Sequence, residues 1–217
     1  MIKKICILSF IISFLFISTA FSQDINQKKF NNHSQNNTNI KYTDQQIEFL
    51  NRLLKEQNYS KFFSEIQSLK VSKTSYIDYL KSKKYDGIIP IYWLMADYYA
   101  QQKNYLKTHK WLYIALIMTQ QDSYLCYDQS ARNAPRILLH DFPKTLDLTR
   151  DSPEYIDQVM PEVVFFIQNL KNRINPIWAC SFGINPPIKG NNILIPKENW
   201  SSTRAQVLEH FSKNYQH

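Results

Sequence analysis

The chain has 217 residues, 26 lysines and arginines against 18 aspartates and glutamates, and only three glycines. Gly87, Gly183 and Gly190 stand too far apart for a dinucleotide fingerprint, a P-loop or a Gly-x-Ser-x-Gly nucleophile elbow, each of which needs clustered glycines. With 44% apolar and 14% aromatic residues, the chain can build a core, so a wholly disordered protein is excluded as well.

Residues 1–22, MIKKICILSFIISFLFISTAFS, have the layout of a cleaved secretory signal. Lys3 and Lys4 supply the positive start, Ile5 to Ile17 the apolar run, and Ala20-Phe21-Ser22 the small residues at the cleavage point. Cleavage is expected near Ser22-Gln23, with cleavage after Ala20 as the alternative. An uncleaved anchor is disfavoured because the run has about 13 residues and a span needs roughly 20. Cys6 lies inside the run, too early to be a lipidated cleavage-point cysteine. Many Lys, Asn and Ile with few Gly and Ala resemble the proteins of an AT-rich bacterium, so export is expected to lead to the periplasm or beyond. No later run approaches spanning length, and the mature chain is expected to be soluble.

Residues 23–40 are polar and Asn-rich and read as a flexible leader. Residues 41–217 read as a single all-α domain. Thr43 with Gln46 fits a capping box, and Ile47, Leu50, Leu53 and Leu54 follow on one helical face. Asn58-Tyr59 breaks that helix; Phe62, Phe63, Ile66 and Leu69 mark a second. Thr74 or Ser75 is placed to cap a third. Gly87 suits a helix end and Pro90 the first turn of the next, and helices are expected at about 90–102 and 105–120. Two short helices around Pro135 are expected over 122–132 and 134–141. Ser152-Pro153-Glu154 is a helix start, and the stripe Ile156, Val159, Met160, Val163, Phe166, Ile167 and Leu170 continues from it. Pro161 inside the stripe predicts a kink or break. Residues 175–199 read as irregular, with one candidate strand at Asn192–Ile195. Trp200 to Phe211 reads as a closing helix.

Removing residues 1–22 lowers the net charge of +8 by two lysines and leaves Cys126 and Cys180. An exported chain with an even pair of cysteines favours one disulfide; two buried thiols are the alternative. The bridge would close a loop of roughly 55 residues, worth about 3–4 kcal/mol on a chain-entropy argument. His33, His109, His140, His210 and His217 show no paired ligand spacing, and no metal or cofactor is expected.

Asn58-Tyr59-x-Lys61 repeats as Asn104-Tyr105-x-Lys107, each between two amphipathic helices. The second copy resembles a tetratricopeptide or Sel-like helical hairpin over about residues 89–120. Ala96 and Ala115 stand at the small positions, Tyr99 and Tyr105 at the aromatic ones, and Lys107-x-x-x-Trp111-Leu112-x-x-Ala115 is similar to the second helix of a Sel-like unit. Departures are Thr108 and His109 where Ala is common, Lys103 where a turn Gly is usual, and Gln120-Gln121 where a Pro often ends the unit. The resemblance covers 44–69 poorly. Fewer than three units do not make a self-sufficient solenoid, so the C-terminal half must cap it or pack across it.

Chemistry-bearing candidates are sparse. Asp128, His140, Asp141, Glu154 and Asp157 are the titratable residues near the middle, and nothing in their spacing brings them together. Arg132 and Arg136, four apart, offer a carboxylate or phosphate site on a shared face if Pro135 permits; a solvated basic face is the plainer alternative. Lys107 and Lys110 add to the basic balance, which in an exported protein points to an acidic protein partner, an anionic lipid surface or an anionic polymer rather than to nucleic acid. The leading expectation is a non-enzymatic periplasmic binding protein, possible partner-binding residues being Arg132, Arg136, Lys107 and Lys110. The Sel-like resemblance implies an immunity or inhibitor protein that occludes a secreted effector's active site. The alternatives are a small cell-wall enzyme with Glu154 or Asp157 as acid or base, and an envelope scaffold.

Overall fold

Local signals set the helix boundaries. The computed structural model describes residues 40–184 and 193–214; the expected secretory signal and all of the expected leader except Ile40 lie outside them. Helix α1 (Asp44–Lys55) opens with the full capping box: Gln46 N donates to Thr43 Oγ1 at 3.2 Å and Thr43 N to Gln46 Oε1 at 2.9 Å. Helix α2 spans Tyr59–Ser68 and α3 Lys73–Ser82. The cap of α3 is Ser72, not Thr74 or Ser75: Ser75 N donates to Ser72 Oγ at 3.1 Å, while Ser75 Oγ accepts from Tyr42 N. Helix α4 (Ile89–Gln101) carries Pro90 in its first turn, and α5 spans Tyr105–Ser123.

The α1–α2 and α4–α5 turns share one geometry. Gln57 and Lys103 both adopt left-handed backbone, with φ of 56° and 53°. Asn58 N donates to Leu53 O at 2.9 Å and Asn104 N to Tyr99 O at 3.0 Å, the six-to-one bond of a Schellman ending. Each asparagine then caps the next helix, Asn58 Oδ1 accepting from Lys61 N and Asn104 Oδ1 from Lys107 N. The repeated Asn-Tyr-x-Lys is therefore a repeated turn, with Gln57 and Lys103 holding the conformation that glycine adopts at least cost.

The α4–α5 hairpin is the centre of the core. From Ile89 through Ala96 every side chain of α4 is buried, the signature of a helix covered on all sides. Helix α5 packs against α4 on one side and, on the others, against the helices of the C-terminal half. These are α6 (Ala134–His140), α7 (Pro143–Arg150), α8 (Ile156–Asn169), α9 (Ile177–Cys180) and α10 (Trp200–Asn214). Helix α8 runs parallel to α5, for its contacts advance together along both: Tyr105 stacks on Tyr155, Lys110 pairs with Glu162, Trp111 meets Phe166 edge-on, and Asp122 meets Arg173. Trp93 Nε1 donates to Thr119 Oγ1 at 3.1 Å, satisfying two polar atoms between α4 and α5.

The fold is all-α with a Cys126–Cys180 disulfide, as the cysteine pair and helical patterning indicate. Several details differ from the sequence reading. Residues 124–128 are not helical; a 3₁₀ turn (Gln129–Asn133) precedes α6, and α7 is an additional helix. Pro161 does not end its helix: α8 continues through it, and the N–H that proline lacks removes a single ladder bond. Asn192 of the expected strand lies outside the described residues; residues 193–195 form only an isolated bridge between Leu194 and Cys126, and no strand occurs among the described residues. None of the described helices is long and apolar enough to cross a membrane.

Candidate functional site

The C-terminal end of α5 gathers a polar centre beneath an aromatic and arginine-bearing surface. Asp122 is fully buried. Its Oδ1 accepts from Arg173 Nη2 and Arg204 Nη2, each at 2.9 Å, and its Oδ2 from Trp178 Nε1 at 3.0 Å. Neighbouring Gln121 accepts from Arg173 Nη1 at 2.9 Å and donates to the Arg204 backbone oxygen at 2.8 Å. One carboxylate thus ties α5 to the segment after α8, to α9 and to α10. Burial pushes the Arg173 guanidinium below its ordinary pKa, with Asp122 opposing and Arg204 adding to the shift. Tyr59, edge-on to Trp178, has its hydroxyl pKa raised by burial and then by the negative charge of Asp122.

Gly87 places this centre. Its φ is +68°, and a Cβ there would sit 2.0 Å from the Asn172 carbonyl oxygen. Only glycine lets the α3–α4 loop touch the backbone beside Arg173. The disulfide works from the other side: both sulfurs are buried, and the bridge joins the chain just past Asp122 to the helix that carries Trp178.

Above this centre lie two of the sequence candidates. Arg132, exposed in the 3₁₀ turn, stacks its guanidinium over the Tyr124 ring at 4.4 Å. The Arg132 carbonyl accepts from Gln120 Nε2 of α5. Arg136 is half-buried in α6, so the two arginines sit on successive elements rather than on one helix. Tyr124, Tyr127 and Ile137 keep 38%, 50% and 40% of their surface exposed. Tyrosine and arginine together are the composition of protein-recognition surfaces. The loop beneath is fixed by Asp128, whose Oδ1 accepts from Ser130 N at 2.9 Å and Ser130 Oγ at 2.7 Å.

Lys107 and Lys110 belong to a different region. They lie in the first turns of α5, and 17 residues of helix separate Lys107 from Tyr124, about 25 Å at 1.5 Å per residue. Lys107 lies over the Tyr99 ring, and half-buried Lys110 lies over Trp111 and pairs with Glu162. The four candidate residues therefore do not form one patch. Buried His109 lies near the same end, with Nδ1 2.9 Å from the Tyr105 carbonyl oxygen and its ring against Tyr155.

The acid–base candidates are separated by role. Asp128 caps the 3₁₀ turn, Asp141 is the last residue bounding α6, and Glu154 and Asp157 are exposed at the start of α8. Burial raises the Asp141 carboxyl pKa, and His140 opposes it. Among the described residues no three His, Cys, Asp or Glu side chains converge as a metal-ligand group.

Sequence reasoning missed the Asp122 centre. Its members come from positions 121, 122, 173, 178 and 204, and no spacing rule links them. The available signal was the polar run Thr119–Ser123, largely buried, that follows the apolar stretch Trp111–Met118 in the same helix. Comparison with protein-family models, with curated proteins and with solved structures finds no match to this chain.

Proposed function

We propose that this chain is an exported, non-enzymatic protein-binding module of helical-repeat type, acting in the periplasm as an immunity or inhibitor protein that occludes the active site of a secreted effector. The observation that carries the reading is the buried Cys126–Cys180 disulfide, two residues along the chain from the exposed Tyr124 on which Arg132 stacks. A structural disulfide belongs to an oxidising compartment, in keeping with the secretory signal in residues 1–22. The matched turns at Gln57 and Lys103 support the helical-repeat character. Occlusion needs a surface that does not yield on contact, and the disulfide and the Asp122 centre supply rigidity under the exposed rings.

The test is an affinity pull-down of the tagged protein from envelope extract of its own host, read by mass spectrometry. One dominant hydrolase-like or toxin-like partner near equal stoichiometry is the expected result. Recovery of many envelope components points instead to a scaffold. No partner, together with turnover of purified peptidoglycan abolished by Glu154→Gln, overturns the binding reading in favour of an enzyme.

A further inference from the structure

We propose that the cleft where α1 and α3 end and α4 begins is a binding site for a small aliphatic monocarboxylate. The cleft has a volume of about 290 Å³, at the lower bound of roughly 300 Å³ for small-molecule sites. Its apolar lining is Leu54, Ile88 and Ile174. Its polar lining is Asn51, Lys55, Gln57, Lys83 and Asp86.

Three features select the ligand chemistry. First, neither Lys55 nor Lys83 has a carboxylate within 4.0 Å among the described residues. Asp86, the acid that lines the cleft, leaves the group one positive charge in excess, which matches a monoanion. Second, Asn51 Oδ1 accepts from the Tyr79 hydroxyl at 3.2 Å, and no hydrogen bond from the Asn51 N–H₂ group occurs among the described residues, so that donor is available to a carboxylate oxygen. Third, the apolar lining disfavours a fully hydrated inorganic ion and favours an anion with a short hydrocarbon body.

The walls are preset. Gln57 holds its left-handed backbone at the α1–α2 turn, and the close approach of Gly87 to Asn172 fixes the loop carrying Asp86 and Ile88 against the segment carrying Ile174. A ligand therefore meets a formed site and loses little affinity to ordering it. The same carboxylate chemistry has two sources, a free short-chain acid and a glutamate side chain on another protein.

Lysine footprinting separates them. The disulfide-intact protein purified from its host is acetylated by an activated ester, and each lysine is followed by mass spectrometry. The probes, at about 5 mM to exceed the roughly millimolar Kd expected of so few contacts, are hexanoate, hexanol and doubly blocked glutamate. Hexanoate is expected to slow modification of Lys55 and Lys83 about threefold or more, leaving Lys103 and Lys144 unchanged, while hexanol does nothing. Protection by blocked glutamate as well makes a protein side chain an equal source; protection by hexanoate alone assigns the free acid. Lys55→Met and Lys83→Met, which keep the aliphatic stem and remove the charge, are expected to abolish hexanoate protection at the remaining lysine. No protection, equal protection by hexanol, or protection spread over every lysine overturns the proposal. The footprint needs no protein partner, so its failure leaves the immunity reading standing, and failure of the pull-down leaves the cleft standing.

Discussion

At Lys103 a charged residue holds a conformation that costs a non-glycine side chain about 1 kcal/mol or more. Lys103→Gly is therefore expected to stabilise the protein by about 0.5 kcal/mol, the released strain being partly offset by the greater freedom of an unfolded glycine; urea unfolding at equilibrium reads the change. Asp97 has the opposite lesson. Burial raises its carboxyl pKa, and the Gln101 amide, donating at 2.7 Å, only partly opposes this. A carboxyl raised on folding contributes stability that is fully present below the ordinary aspartate range and is lost as pH rises through the folded value. Asp97→Asn should thus gain stability over the native chain at pH 7, and the gain should vanish at acid pH. Asp122 is a third case. Removing its charge leaves two guanidiniums facing each other in a buried setting. Asp122→Asn should cost about 3 kcal/mol, the low end of the range for a broken buried pair, because both arginines reach solvent at their edges.

Among the elements, the disulfide holds the short α9 helix in place. Reducing the bridge, or pairing Cys126→Ser with Cys180→Ser, should lower stability by about 2–5 kcal/mol. Because α9 presents Trp178 to Asp122, a red shift of tryptophan emission should accompany the loss. The elements legible in the sequence were those whose cause is local. The Thr43 capping box, the Asn58 and Asn104 turns and Pro90 each act within one helical turn. Less legible were elements decided by distant packing. The cap of α3 moved to Ser72 because Ser75 is engaged by Tyr42, 33 residues away. Of the kink or break expected at Pro161, the break does not occur, because Val159, Met160, Val163 and Ile167 bury a continuous face, which outweighs one missing hydrogen bond. Of the candidate strand, the described residues 193–195 form only a bridge, between Leu194 and Cys126.

On the scale of the whole molecule, the basic side chains fall into separate regions rather than one field. The Arg132 surface, the Lys107–Lys110 end of α5 and the Lys55–Lys83 cleft are built from different elements. If the Arg132 surface receives the partner, Arg132→Glu should weaken capture at least tenfold, while Lys107→Glu should change it less than twofold; quantitative pull-down with each variant decides. The individual arginines were visible in the sequence, but their partition was not, since it depends on the length of α5 and on where the 3₁₀ turn releases the chain. The Asp122 centre bears on a different matter, the order in which the protein can be assembled. Its partners stand 51, 56 and 82 residues further along the chain. A growing chain thus carries an uncompensated aspartate at its future core until Arg173, beyond α8, has been made, and the centre is complete only when Arg204 of the last helix follows. The central hairpin can coil early, but it cannot lock before its C-terminus arrives. Under the proposed export, in which the chain would thread a translocation channel in extended form, such a delay is an advantage, because the final contact closes only after the thread has passed.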